Sequence, residues 1–121
     1  MDLKWLLFSF EGRLNRQPYW GVAIVMCVLG AGFNFAIGDF GPDRPMTAGP
    51  AILETLVVVL FVWVGLAVQI KRWHDRDKSG WWALINLVPV VGALWVLIEC
   101  GFLRGTAGAN RFGADPLGAP D

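Results

Sequence analysis

The apolar residues of this chain form three long blocks instead of the narrow stripes of a water-soluble helical protein. The blocks cover residues 19–38, 51–70 and 80–103, and their only charged residues are Glu54 and Glu99. Twenty helical residues rise about 30 Å, the thickness of a bilayer's hydrocarbon core. The pattern therefore predicts an all-α integral membrane protein in which three transmembrane helices form one domain over residues 1–121. A water-soluble fold with three buried core helices is the alternative, and it leaves little chain to cover them.

A shorter pattern precedes the first block. Leu3, Leu6, Leu7 and Phe10 recur at the i, i+3, i+4, i+7 spacing of an amphipathic helix. We expect a short interfacial helix over about residues 3–10, lying at the membrane surface before the first span. The apolar run before Glu11 is too short for the hydrophobic region of a signal peptide.

Lys and Arg in short loops mark the cytoplasmic side of a membrane protein. Three of these residues precede the first span and four lie in residues 71–78, so an N-terminus in the cytoplasm places seven of the ten inside. The opposite orientation inverts that ratio. Tryptophans at predicted span ends act as interface anchors in this arrangement, namely Trp20, Trp73, Trp81 and Trp82.

The third block contains an ambiguity, because "NLVPVVG" places Pro89 and Gly92 near its middle. A proline removes one backbone hydrogen bond and kinks a helix. Our prediction is a kinked span over residues 80–103, with Glu99 near the outer surface and paired with Arg104. The alternative is a re-entrant hairpin that returns the tail, residues 104–121, to the cytoplasm. Only the hairpin would place the tail beside residues 71–78.

Composition limits the remaining classes. Ten Lys and Arg balance ten Asp and Glu, which does not indicate a nucleic-acid partner. With one histidine and two remote cysteines, Cys27 and Cys100, the chain lacks the ligand set of a structural zinc site. We therefore expect no metal and no cofactor, and we interpret both cysteines as small packing residues.

Polar chemistry concentrates in "KRWHDRDKSGWW", residues 71–82. His74 and Asp75 are adjacent there and would form a usable acid–base pair, although a second histidine and a nucleophile with a triad spacing are missing. Ser79 fits better as the N-cap of the following helix. Two other interpretations stay open: a salt-bridged turn that holds two helices together, and recognition of a lipid headgroup or another anion.

Three stretches carry a resemblance to a known family: "FEGRLNRQPYW" at residues 10–20, "KRWHDRDKSGWW" at 71–82 and "GTAGANRFGADP" at 105–116. Together they resemble the small bacterial inner-membrane proteins grouped as domain of unknown function 805. The departures from that family's pattern are Lys71, Trp73 and Ala114. The resemblance implies an integral, multi-pass protein of the bacterial cytoplasmic membrane, and it implies no reaction.

The polar motif residues outside the apolar blocks form the candidate site: Arg13, Arg16, Arg72, His74, Asp75, Asn110 and Arg111. We expect at least the first two stretches to meet at the cytoplasmic surface, where Asp75 or a lipid phosphate is the natural partner of an arginine. The resulting hypothesis is a binding or assembly component at that surface, whose partner is the lipid bilayer, a second copy or another membrane protein. Alternatives are a subunit of an oligomeric transporter or channel and, less favoured, a membrane enzyme using His74 and Asp75.

Overall fold

A computed structural model of the chain describes residues 2–36 and 48–116. Its elements are helix α1 (Leu3–Phe8), helix α2 (Arg16–Ala36), helix α3 (Ala48–Asp75), a 3₁₀ helix (Gly80–Leu87) and helix α4 (Val91–Val96), which continues as a π-helical turn (Leu97–Phe102). The described part is all-helical, as predicted, apart from one isolated bridge between Asn110 and Gly113. The predicted end of the first span, the connection to α3 and the tail beyond residue 116 lie outside the described residues.

Two helices have the length and apolar character needed to cross a membrane. The 21 residues of α2 rise about 32 Å, and the 28 residues of α3 rise about 42 Å. Only 6% of the residues in the apolar stretch of α2 are buried, and 17% in that of α3. The buried side chains of this helix pair, such as Val22 of α2 and Val68 of α3, lie towards the end where α1 packs through Leu6. Tight packing is therefore concentrated at one end of the pair.

The third apolar block does not form a long helix. Its 3₁₀ helix and α4 run back along each other, so that the start and the end of the block are neighbours. Lys78, just before the block, donates to both carboxylate oxygens of Glu99 at 2.6 and 2.8 Å. The prediction of a kinked third span is therefore wrong, as is the predicted pairing of Glu99 with Arg104. The chain reverses as in the hairpin alternative, whereas re-entry into a membrane and the side of the tail stay predictions. Residues 80–102 are called the hairpin below.

The tip of the hairpin explains the reversal. Val90 has φ 64° and ψ −62°, and the N–H of Val91 donates to the Pro89 carbonyl at 2.7 Å. This is the rare three-residue γ-turn with positive φ, a conformation that costs a β-branched residue backbone strain. Beyond the tip the two arms touch through backbone, because a Cβ built at Gly92 would overlap the carbonyl of Ile85. Glycine at 92 is thus what permits the close return.

The hairpin is also attached to α3 by side chains. Asn86 donates to the side-chain oxygen of Gln69 at 2.5 Å and to the Ala83 carbonyl at 2.8 Å. At its start, Ser79 accepts a hydrogen bond from the N–H of Trp81 at 3.3 Å. This confirms the predicted N-cap.

Helix α3 ends five residues later than predicted, so residues 71–75 form its last turn instead of a loop. A helix end leaves carbonyls that need donors. The carbonyl of Lys71 accepts from the N–H of Leu14 at 3.1 Å, and that of Asp75 accepts from the N–H of Thr106 at 2.6 Å. Distant segments therefore extend the helix by satisfying its end, which local sequence does not reveal.

Replacing Gly92 by alanine tests the close return of the hairpin. The added methyl group meets backbone that has no alternative rotamer, so Gly92→Ala is expected to lower the free energy of unfolding by about 1–3 kcal/mol. The matched control is Gly32→Ala in α2, where a Cβ meets no atom within 4 Å. Denaturant unfolding in mild detergent, followed by tryptophan fluorescence, measures both. Equal stability of the two variants would contradict the hairpin geometry.

Candidate functional site

The carboxylate of Asp75 lies between two guanidinium groups. Its Oδ1 is 3.0 Å from Arg13 Nη2 and 3.1 Å from Arg13 Nε, and its Oδ2 is 2.5 Å from Arg72 Nη1. The side chains of all three residues are at most 4% exposed. We call Arg13, Arg72 and Asp75 the charge cluster. Because it holds two cations and one anion, the cluster needs further acceptors to offset the cost of burying charge.

The tail supplies acceptors to Arg13. Nη2 donates to the Thr106 carbonyl at 2.6 Å, and Nη1 donates to the carbonyls of Gly108 at 2.6 Å and Gly113 at 3.2 Å. The tail approaches so closely at Gly105 that a Cβ there would overlap the Asp75 carboxylate. All the nitrogens of this guanidinium group are thus occupied by the protein itself.

Arg72 joins the N-terminal segment to the hairpin. Its Nε and Nη2 donate to the carbonyls of Cys100 and Leu103, each at 2.6 Å, and its Nη1 donates to that of Leu14 at 3.0 Å. Carbonyls 100 and 103 belong to the end of the hairpin, where a helical dipole is negative and a cation is favoured. The guanidinium group therefore caps this helix end while it pairs with Asp75.

Other side chains complete the same cap. Trp20 Nε1 donates to the Gly101 carbonyl and Arg16 Nη1 to the Phe102 carbonyl, both at 2.7 Å. Arg76 Nη1 donates to the Arg104 carbonyl at 2.6 Å. Five successive carbonyls, 100 to 104, thus accept from side chains of α2 and the end of α3, so the hairpin end is held by the first and second motif stretches together.

Lys71 holds helix α1 in the same way. Its ammonium group donates to the carbonyls of Trp5, Leu6 and Ser9 at 2.5, 2.6 and 2.9 Å, and it lies 4.5 Å from the Trp5 ring centroid. These bonds match the three donors of an ammonium group. Sequence reasoning treated this fully buried lysine as a loop cation and missed its role. The sequence signal that could have indicated this role is the position of Lys71, one helical turn before Asp75.

His74 and Asp75 do not act as a pair. The Nδ1 of His74 lies 2.9 Å from the Gly12 carbonyl and donates to it, because a carbonyl oxygen only accepts. The ring stacks on Phe112 with centroids 3.9 Å apart and planes 6° apart. Asn110 Nδ2 donates to the His74 carbonyl at 2.9 Å. His74 and Asn110 therefore dock the tail, while Asp75 is engaged by arginines, and the acid–base arrangement is not formed.

The remaining predicted site residues lie outside the charge cluster. Arg16 contacts the hairpin end and is exposed, and Arg111 pairs with Asp77 at 3.3 Å with 61% of its side chain exposed. These two cations keep a surface position from which an anion can be reached. Binding of a lipid headgroup by them stays a prediction.

The four predicted anchors occupy different environments. Trp73 is fully buried against Val96 and Cys100, not at a surface as the anchor prediction placed it. Trp82 stacks on it with centroids 5.8 Å apart, while Trp81 is 77% exposed. Trp73 is buried because the hairpin, through Val96 and Cys100, covers the face of α3 to which this side chain points.

The site therefore joins the three motif stretches by internal hydrogen bonds and ion pairs. The guanidinium donors of Arg13 and Arg72 bind the protein's own carbonyls and the carboxylate of Asp75. The geometry therefore supports a structural function more directly than the binding of a ligand between the two arginines. Two apolar helices held at one end by such a cluster define a small helical membrane protein.

Comparison with known proteins gives the family. The model described as "Protein of unknown function (DUF805)" matches residues 7–114, and the chain belongs to this family. The chain is 38% identical over 110 residues to "Inner membrane protein YhaH" of Escherichia coli strain K12, covering 89% of this chain and 87% of that protein. It is 37% identical over 108 residues to "Inner membrane protein YhaI" of the same organism, covering 89% and 86%.

A more distant relative is "Uncharacterized protein YiiR" of Escherichia coli strain K12, 27% identical over 143 residues, covering 95% of this chain and 90% of that protein. No solved structure matches the chain. The family match includes every residue of the charge cluster and the tail carbonyls that contact it. The resemblance found in the sequence is thus confirmed.

Neutralising Asp75 tests the cluster. Asp75→Asn keeps the size of the side chain and leaves two buried guanidinium groups without their anion, so we expect a loss of about 3–5 kcal/mol in the free energy of unfolding. Arg111→Gln, which breaks the exposed pair with Asp77, is the control and should cost less than about 1 kcal/mol. Thermal unfolding in mild detergent compares them. A stable Asp75→Asn variant would show that the cluster does not hold the fold.

Proposed function

We propose that the chain is a multi-pass inner-membrane protein in which α2 and α3 cross the bilayer and both termini are cytoplasmic. The charge distribution supports this arrangement. With the hairpin returning the tail to the side of the N-terminus, every Lys and Arg except Arg44 is cytoplasmic, which is nine of ten. The excess of positive charge inside is larger than three spans would give.

The dimensions of the hairpin support a re-entrant segment. Its 3₁₀ helix of eight residues rises about 16 Å, and the twelve helical residues 91–102 rise about 18 Å. Both arms reach about half of a 30 Å hydrocarbon core. At the tip, the N–H groups of Val88, Val91 and Gly92 donate to carbonyls of the hairpin, which lowers the cost of placing this turn in lipid.

We infer that the protein functions as an assembly component of the membrane, binding copies of itself through the lipid-facing sides of its helices. One observation carries this proposal: the charge cluster is occupied internally, whereas only 6% and 17% of the residues in the apolar stretches of α2 and α3 are buried. Helices in lipid associate by packing and by interhelical hydrogen bonds, and such exposed faces are the surface available for it.

The transporter alternative receives less support from the polar residues that it would use. Asn86 is bonded to Gln69, and Glu99 is paired with Lys78 beside the end of α3. A pathway needs polar groups along the depth of the membrane. Of the three side chains that the sequence offers for a path, Asn34, Asn86 and Glu99, Asn34 is left, and it lines a pocket with Glu54 near one end of α2 and α3. Two polar side chains at one end of the helices are too few to line a path across the membrane.

Reporter fusions test the topology. A green fluorescent protein fused after the last residue should fluoresce, and alkaline phosphatase at the same point should be inactive, because the C-terminus is cytoplasmic. As a matched control, either reporter inserted between α2 and α3, after Asp43, should give the reversed signals. An active phosphatase at the C-terminus would exclude the re-entrant arrangement.

Energy transfer tests self-association. Donor and acceptor fluorescent proteins fused after the last residue label the chain outside the bilayer, because Cys27 lies in the middle of α2 and Cys100 is buried. Donor- and acceptor-labelled copies in the same liposomes should show transfer that persists as lipid is added and is abolished by excess unlabelled protein. An unrelated labelled membrane helix at the same density serves as the control. Energy transfer that decreases in proportion to the density of the protein in the membrane would refute self-association.

A further inference from the structure

An apolar cleft lies between α1, α2 and α3. Its volume is about 520 Å³, and all the residues that line it are apolar. Leu3 and Phe8 line it from α1, Val25 and Leu29 from α2, and Phe61 from α3. Much of this lining is open to the surroundings, since Leu3, Val25 and Leu29 are exposed. In a membrane protein such a cleft faces hydrocarbon.

The cleft has a direction relative to the membrane. Along α2 its lining extends from Pro18 to Leu29, eleven residue steps or about 16 Å. One end lies at α1, on the side of the charge cluster, and the other reaches about half the depth of the bilayer. Given the proposed orientation, on which this inference rests, the cleft runs from the cytoplasmic surface to the midplane, the depth of one leaflet.

The volume of the cleft limits which molecule can occupy it. A helix with its side chains is about 10 Å across, so a 16 Å length of it fills roughly 1,200 Å³, more than twice the cleft. A helix of a second copy therefore does not fit inside. A single elongated hydrocarbon chain does fit, and the cleft volume lies in the range of about 300–1,000 Å³ that holds one small molecule.

A cation marks the cytoplasmic end. Lys4 is exposed on α1, and it precedes the lining residues Leu7 and Phe8 by three and four positions, which places it on the same face of the helix. A phosphate group at the surface would lie within its reach, because basic residues near the inner leaflet attract anionic lipids. We propose that the cleft binds one acyl chain of an anionic phospholipid of the inner leaflet, with its phosphate at Lys4.

Glycine positions provide a matched pair of variants. Gly21 lines the cleft, and a Cβ built there meets no atom within 4 Å, so Gly21→Leu adds a side chain at the cleft without a clash at its Cβ. Gly32 lies on the same helix outside the cleft and is equally open. Gly32→Leu therefore adds the same side chain to α2 and leaves the cleft empty. Val25→Phe, at an exposed lining position, is a second blocking variant should Gly21→Leu not fold.

The experiment is native mass spectrometry of the full chain, delipidated in mild detergent and titrated with phosphatidylglycerol or phosphatidylethanolamine. The wild-type protein and Gly32→Leu should each bind one phosphatidylglycerol, and Gly21→Leu or Val25→Phe should bind it at least about tenfold more weakly. Lys4→Gln should abolish the preference for phosphatidylglycerol over phosphatidylethanolamine.

Equal binding by Gly21→Leu and Gly32→Leu, or equal binding of both lipids by the wild-type protein, overturns the proposal. Reporter topology and energy transfer of the same variants are measured separately. A variant that loses the lipid but keeps both of those signals separates the lipid site from the proposed assembly function. A C-terminus outside the cytoplasm would contradict the proposed orientation and, with it, the assignment of the lipid to the inner leaflet.

Discussion

The ion pairs of Asp75 with Arg13 and Arg72 are the interaction on which the rest of the structure depends. A single carboxylate connects α3 to the N-terminal segment, and the two arginines extend that connection to the tail and to the hairpin end. Charges buried in this way are tolerated only when every partner is present, because each unpaired group would carry its full desolvation cost. Tail, hairpin and N-terminal segment are therefore stabilised together and not one by one.

This constraint explains why so small a protein needs little apolar core. Consecutive residues of a helix point about 100° apart, so the last turn of α3 directs its side chains to several segments at once. Lys71 reaches α1, Trp73 packs beneath the hairpin, and His74 meets the tail. Order at one end of the molecule leaves the outer flanks of α2 and α3 exposed, and these flanks are the surfaces that the proposed self-association would use.

Much of the helical architecture could be predicted from the sequence, whereas for residues 80–103 the sequence left a kinked span and a hairpin open and favoured the wrong one. The spacing of Leu3, Leu6 and Leu7 indicated α1, and the apolar blocks indicated α2 and the greater part of α3, because periodicity and block length report a residue's surroundings. Periodicity and block length do not report where the chain reverses its direction. Residues 80–103 are long enough to cross a bilayer, and the pairing of Lys78 with Glu99, which shows the return, joins positions 21 residues apart. The burial of Trp73 follows from that return and was hidden for the same reason.

The carbonyls that surround Arg13 belong to Thr106, Gly108 and Gly113, which follow it in the chain by 93, 95 and 100 residues. A ribosome therefore makes these acceptors later than both long helices. Until they are made, the guanidinium group of Arg13 lacks the three carbonyls that accept from Nη1 and Nη2. The cluster therefore closes only after residue 113 has been added, and a chain that stops before residue 106 has both long helices but not the acceptors that offset its buried charge.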